Sequence, residues 1–166
     1  MRWPRFSRWL IAVVGSLSVA GVIGLSAAAG WFYWDRAETR AEQQARAVLP
    51  QLAAKEIPLV FAYDYQTVER SLAEAYPLLT PEYRQEFQRS ANAQIIPEAK
   101  KREVVVQANV VGAGVMTAKR TSASVMVYLN RTVTDKSRQP LYDGSRLRVD
   151  FKKAGDKWLI AYITPI

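Results

Sequence analysis

From Trp9 to Trp34 the chain carries no charged side chain, and the 21 residues Leu10–Gly30 are almost wholly apolar or small. As a helix that stretch spans about 32 Å, matching a hydrocarbon core of about 30 Å. Aromatic rings bracket it, with Trp3 and Trp9 before it and Trp31-Phe32-Tyr33-Trp34 after it. Rings with an apolar body and a polar tip favour the headgroup level, so Trp9, Trp31 and Trp34 are the expected interface residues. Arg2, Arg5 and Arg8 precede the span, whereas the far flank opens Asp35-Arg36-Ala37-Glu38. The positive-inside rule then puts the N-terminus in the cytoplasm and everything after Trp34 outside it, a single pass through the cell membrane. A cleavable signal peptide is the competing reading, with Ala27-Ala28-Ala29 as its cleavage site. The length of the apolar run and the four-aromatic cluster favour the uncleaved anchor, and either reading exports the remainder. Ser16, Ala20, Gly24 and Ala28 would form a smooth stripe on such a helix. With 12 of the 21 residues Gly, Ala or Ser, some such stripe is expected by chance.

The chain contains neither cysteine nor histidine. Disulfides, thiolate nucleophiles and Cys-based zinc sites are excluded, and so are the commonest general base and the commonest transition-metal ligand. No enzyme activity, cofactor or metal is expected. The net charge of +8 is uneven: +3 over 1–34, −3 over 35–99 and +8 over 100–166. A basic C-terminal third could suit nucleic acid, but a segment exported across a membrane does not meet it.

Asp35–Leu49, rich in Ala, Glu, Gln and Arg, reads as a helix continuing from the membrane span as a stalk, with Pro50 and Pro58 interrupting or kinking it. Asp64 is the expected N-cap of a helix bearing Val68, Leu72, Ala75 and Leu79. Thr80-Pro81-Glu82 is a stronger start signal, a capping hydroxyl followed by proline and a carboxylate. That helix carries Tyr83 and Phe87 and should end before Pro97. From Glu103 the apolar period becomes two, giving a long strand that Gly112 and Gly114 bend or bulge. Ser122–Thr134 is a second strand with Val125, Val127 and Leu129 on one face. After the polar loop 135–140, Arg146–Lys152 alternates Leu147, Val149 and Phe151 inward with Arg146, Arg148, Asp150 and Lys152 outward. Ala154-Gly155-Asp156 turns it into a final strand over Trp158–Ile163. Helices followed by antiparallel strands predict an α+β fold with the helices on one face of the sheet. The domain plan is a basic N-terminus (1–9), a transmembrane helix (10–34), a stalk with the first helix (35–62) and the α+β domain (63–166).

Several short segments, in order, carry a family resemblance: Phe61-Ala-Tyr-Asp64-Tyr65, Leu79-Thr80 with Phe87, Ile96-Pro97-Glu-Ala99-Lys, and Val104 through Gly114-Val115. The series continues with Val127-Tyr-Leu-Asn130-Arg-Thr132, Arg146-Leu-Arg148-Val and Trp158-Leu159. Together they resemble the Mce-associated membrane proteins of actinobacteria, over essentially the whole chain. The resemblance implies an NTF2-like domain, a curved antiparallel sheet with helices packed into its concavity, similar in architecture to the scaffold subunit of type IV secretion machines. It also implies an accessory role, assembling or stabilising a transporter that imports lipids, with its substrate-binding and permease proteins and membrane lipids as partners. The family supplies no catalytic residue to carry over.

Asp64 and Tyr65 could form an acid–phenol pair at a pocket mouth, against a plainer reading as helix cap and core aromatic. Asn130 could bond a ligand or satisfy backbone groups at an edge. Arg146, Arg148, Lys152 and Lys153 form a basic outward face, either solvated or in contact with acidic headgroups or a partner. Trp158 reads as core. Three functional classes follow: a transporter accessory, a lipid-binding module holding an acyl chain or sterol in its cone, and, least favoured, an enzyme working on carboxylates. The topology is directly testable. A Ser137→Cys protein should react with an impermeant maleimide on intact cells, and its mature N-terminus should lie at or near Met1; labelling only after lysis reverses the orientation.

Overall fold

The computed structural model describes residues 38–166. The expected membrane span, with Arg2, Arg5, Arg8, Trp9, Trp31 and Trp34, lies outside the described residues. Ala41–Ile166 pack as one compact unit.

Helix α1 runs over 38–61 without interruption, so Pro50 and Pro58, expected to interrupt or kink it, sit inside a continuous helix. An interior proline forfeits one hydrogen bond and crowds the preceding turn, at about 3 kcal/mol. What offsets it is burial: Ala45, Leu49, Ala53, Ile57 and Val60 form one stripe, each no more than 4% exposed. Fully burying a Leu or Ile side chain is worth about 1.5–3 kcal/mol. The segment read as a stalk therefore supplies the central helix of the core from Ala45 onward.

A two-residue strand β1 (Tyr63–Asp64) follows, then α2 (Val68–Ala75), which buries Val68, Leu72 and Ala75. Asp64 does not cap α2. Its Oδ1 accepts from the Gln66 N–H at 2.8 Å, closing a local turn, and Thr67 stands at the N-cap. A 3₁₀ turn (Tyr76–Leu78) ends the helix, and Leu79 is buried beyond it. Helix α3 (Pro81–Ser90) starts as its sequence predicts, with Thr80 Oγ1 accepting from the Tyr83 N–H at 3.4 Å. The helical path does not stop before Pro97. A single π-helical turn (Ala91–Ile95) leads into α4 (Ile96–Arg102), whose first turn holds Pro97. Pro97 follows directly on the π-helical turn, where the hydrogen-bond ladder is already irregular. Glu103, expected to open a strand, instead closes α4 in the left-handed conformation at φ 55°.

Strands β2 (Val105–Ala118), β3 (Ser122–Thr134), β4 (Leu141–Ala154) and β5 (Lys157–Pro165) form an antiparallel meander in the order β1-β2-β3-β4-β5. Register shifts after Val110 and after Val115 make Val111 and Met116 extra residues in β2, the first of them at the expected Gly112 bulge. Val125 faces Val149, Val127 faces Leu147 and Ala123 faces Phe151, a ladder of inward apolar pairs. The α1 stripe belongs to the same cluster as this ladder. The far edge is closed by the chain entering α3: Leu79 bridges to Ile160 in parallel, and the Thr80 N–H donates to the Ile160 carbonyl at 2.9 Å. Gly155, at φ 62°, makes the β4–β5 turn.

Glu56 lies beside the α1 stripe, 9% exposed, with Oε2 unpartnered among the described residues. Burial pushes its carboxyl up to about 7, against a smaller opposing pull from Lys55. A carboxyl with a raised folded pKa binds its proton more tightly folded than unfolded. Its contribution is thus intact below the unfolded value of 4.5 and is lost as pH rises toward 7. Glu56→Gln should remove that decline and stabilise the protein at pH 8 by on the order of 2 kcal/mol, read from urea unfolding of both proteins at pH 5 and pH 8.

Candidate functional site

The core is divided. One cluster lies under α1; a second gathers Val68, Leu72, Ala91, Ala99, Val104 and Val106, and Phe87 packs against both. Between them opens a cavity of about 800 Å³. Val60 and Phe61 of α1, Leu72 of α2, Phe87 of α3 and Ala99 of α4 form its helical walls, with Val106, Leu129 and Leu147 as its sheet side. Leu141 and Tyr142 also line it while being 67% and 77% exposed, so the opening has an apolar rim.

The lining turns polar where the strand alternation changes character. Along β3 the inward positions read Ala123, Val125, Val127, Leu129 and then Arg131; along β4 they read Phe151, Val149, Leu147, then Ser145 and Asp143. Arg131 and Asp143 are direct cross-strand partners. Arg131 Nε donates to Asp143 Oδ2 at 3.0 Å, Nη2 donates to the same oxygen, and Ser145 Oγ donates to it at 3.0 Å. Those bonds hold the Asp143 carboxyl below the usual carboxylate range. The Arg131 guanidinium lies 5.8 Å from the centre of the Phe61 ring, a cation–π contact that fixes it against the wall. Arg102, also on the lining, donates to Asp135 Oδ2 at 2.9 Å. Asp135 further accepts from the Ser137 hydroxyl and N–H, and these bonds with Arg102 hold it down to about 2. Tyr63 lines the same end; burial raises its phenol, while Arg131 and Arg102 pull it the other way, so both cations act on this hydroxyl. The whole is an apolar chamber with guanidinium and phenol donors at one end.

The residues singled out in the sequence lie elsewhere. Asp64 and Tyr65 do not form an acid–phenol pair: Gln66 bonds each of them, its Nε2 donating to the Tyr65 hydroxyl at 3.1 Å. Asn130 is on the outer face, opposite Asn109 and Gly144. Arg146, Arg148 and Lys152 are exposed on that outer face, with Asp150 between them and 3.4 Å from Arg148 Nε. Lys153 departs from this set: its Nζ lies 5.9 Å from the Trp158 ring centre, and both line a small recess against α1 with Ala41 and Val48. Trp158 is half-buried at the margin of the core, not within it. Arg131, Arg102 and Asp143 were missed. A cation at an inward position of an apolar strand was the available signal. Among the described residues no group of three or more Asp or Glu could hold a metal ion.

Because the Arg131 and Asp143 side chains are 33% and 39% exposed, the pair is a half-wet ion pair. Arg131→Gln or Asp143→Asn should each cost no more than about 1 kcal/mol in urea unfolding and leave the circular dichroism spectrum unchanged.

No family model matches this sequence. It is 24% identical over 158 residues to outer membrane protein Rv1973 of Mycobacterium tuberculosis, covering 95% of this chain and 99% of that one. It is 28% identical over 145 residues to the uncharacterized protein Rv1362c of the same organism, covering 84% of this chain and 64% of the relative. Among solved structures it is similar to an IcmL-like type IV secretion system protein from Legionella pneumophila (TM-score 0.63, 15% identity, 73% of this chain and 93% of that one). The periplasmic domain of DotI matches with TM-score 0.62 at 13% identity, covering 72% and 94%. Agrobacterium tumefaciens VirB8 matches with TM-score 0.55 at 13% identity, covering 67% and 84%. Helices on one face of a curled antiparallel sheet are the VirB8-like, NTF2-like fold, and this chain shares that fold with these type IV secretion proteins.

Proposed function

We propose that this chain is a non-enzymatic accessory subunit of the cell envelope that assembles or stabilises an Mce-type lipid-import transporter, docking on its substrate-binding or permease proteins through the outer face of its sheet. One observation carries the reading. The helices pack against the inward ladder, which leaves Arg146, Arg148 and Lys152 exposed across the opposite face beside Tyr128, itself 47% exposed. A basic surface with an exposed aromatic suits a polar, partly acidic protein partner, since interfaces enrich both Arg and Tyr. The likeness of the domain to type IV secretion proteins supports assembly over chemistry, as does a chain with neither His nor Cys. Fold alone does not assign function, so the test addresses the face itself. Exchanging Arg146, Arg148 and Lys152 together for Glu should abolish co-purification of transporter subunits from native membranes. Exposed substitutions of this kind usually move stability by no more than about 0.5 kcal/mol, and the thermal midpoint should hold. A folded triple variant that keeps every partner removes the docking role from this face.

A further inference from the structure

The cavity calls for an occupant of its own kind. Two apolar clusters face each other across about 800 Å³ without closing, a volume within the range of about 300–1,000 Å³ typical of ligand sites. Collapse would bury more apolar surface and would be favoured. The chamber instead stays open, with Phe61, Phe87, Leu129 and Leu147 among its lining residues.

Its polar end selects the ligand. Arg131 commits Nε and Nη2 to Asp143. A guanidinium has five N–H donors in a planar fork, so Asp143 leaves three of them unused on a residue that lines the chamber. Tyr63 and Arg102 line the same chamber as Arg131, and both cations pull the Tyr63 phenol toward its charged form. A hydrogen-bond acceptor carrying negative charge satisfies this end; a neutral alcohol would leave the fork unmatched. Leu141, a lining residue, presents a large apolar surface to water, which a chain entering the chamber would cover.

We infer that the cavity binds a long-chain carboxylate, its acyl chain between the helices and the sheet and its head on Arg131 and Tyr63. Asp143 competes with that head for Arg131, so it tunes affinity downward. This inference does not rest on the docking role of the outer face, since it concerns the opposite face of the sheet and is read by binding and not by co-purification.

The experiment uses the full chain reconstituted in phosphatidylcholine vesicles with a trace of palmitate analogue bearing a chain-terminal diazirine. After illumination, peptides containing Phe61, Phe87 or Leu129 should carry the label, and excess unlabelled palmitate should suppress it. Arg131→Gln should lower cavity labelling about tenfold, the worth of one charge-assisted hydrogen bond. Asp143→Asn should raise it, because the competitor is neutralised while Arg131 stays. These opposite signs separate head recognition from structural support, which would lower both. Any of four results overturns the inference: label confined to peptides outside the cavity, equal labelling by the methyl ester, both variants shifting in the same direction, or a diazirine sterol labelling the same peptides in preference to palmitate.

Discussion

Ala45, Leu49, Ala53, Ile57 and Val60 recur every third or fourth residue of α1 and share one cluster with the inward residues of β3, β4 and β5. The small members let the helix approach the sheet closely, and the larger ones fill the spaces between strands. Both internal prolines are tolerated because this stripe is buried along its whole length. Leu79 and Ile160, both fully buried, then clip the α2–α3 connection onto the β5 edge. Without α1 in the concavity the inward ladder of Val125, Val127, Leu147, Val149 and Phe151 would be a bare apolar face, and an uncovered face of that kind invites association.

The same placement explains why a chamber exists. Helix α1 covers one part of the concave face, and α2, α3 and α4 form a second cluster against β1 and the start of β2. Phe87 is the contact common to both clusters, and the cavity is the space they leave. Its polar end arises because the inward positions at one end of β3 and β4 are Arg131, Asp143 and Ser145. Polar side chains in such positions are tolerated when they bond one another, and these three do. The two faces of one sheet thereby acquire different chemistry: a basic, solvated exterior and an amphipathic interior.

Much of the architecture was legible in the residues. Ser122–Thr134 is a strand with the expected bounds, the Thr80 cap forms, and the β4–β5 turn falls on Gly155. These depend on local patterns of period, capping and turn chemistry, which neighbouring residues decide among themselves. Where local signals misled, tertiary contact had outweighed them. Pro50 and Pro58 break helices by their own chemistry, yet the burial of α1 holds the helix together. Asp64 has the side chain of a helix cap, yet pairing of Tyr63 and Asp64 with Val106 and Val105 draws it into a strand. Lys153 adjoins Lys152 in sequence, but adjacent strand residues face opposite sides, and Trp158 was there to receive it.

By itself the sequence determined the α+β order of elements, the absence of thiol and imidazole chemistry, and a sheet with one apolar and one basic face, because each follows from residue type and period. Only the tertiary structure decided that the segment read as a stalk supplies the core helix from Ala45 onward, that the two apolar clusters, joined at Phe87, leave a chamber between them, and that Arg131, Tyr63 and Arg102 line it. Those facts depend on contacts between residues distant in the chain, and no local period encodes them.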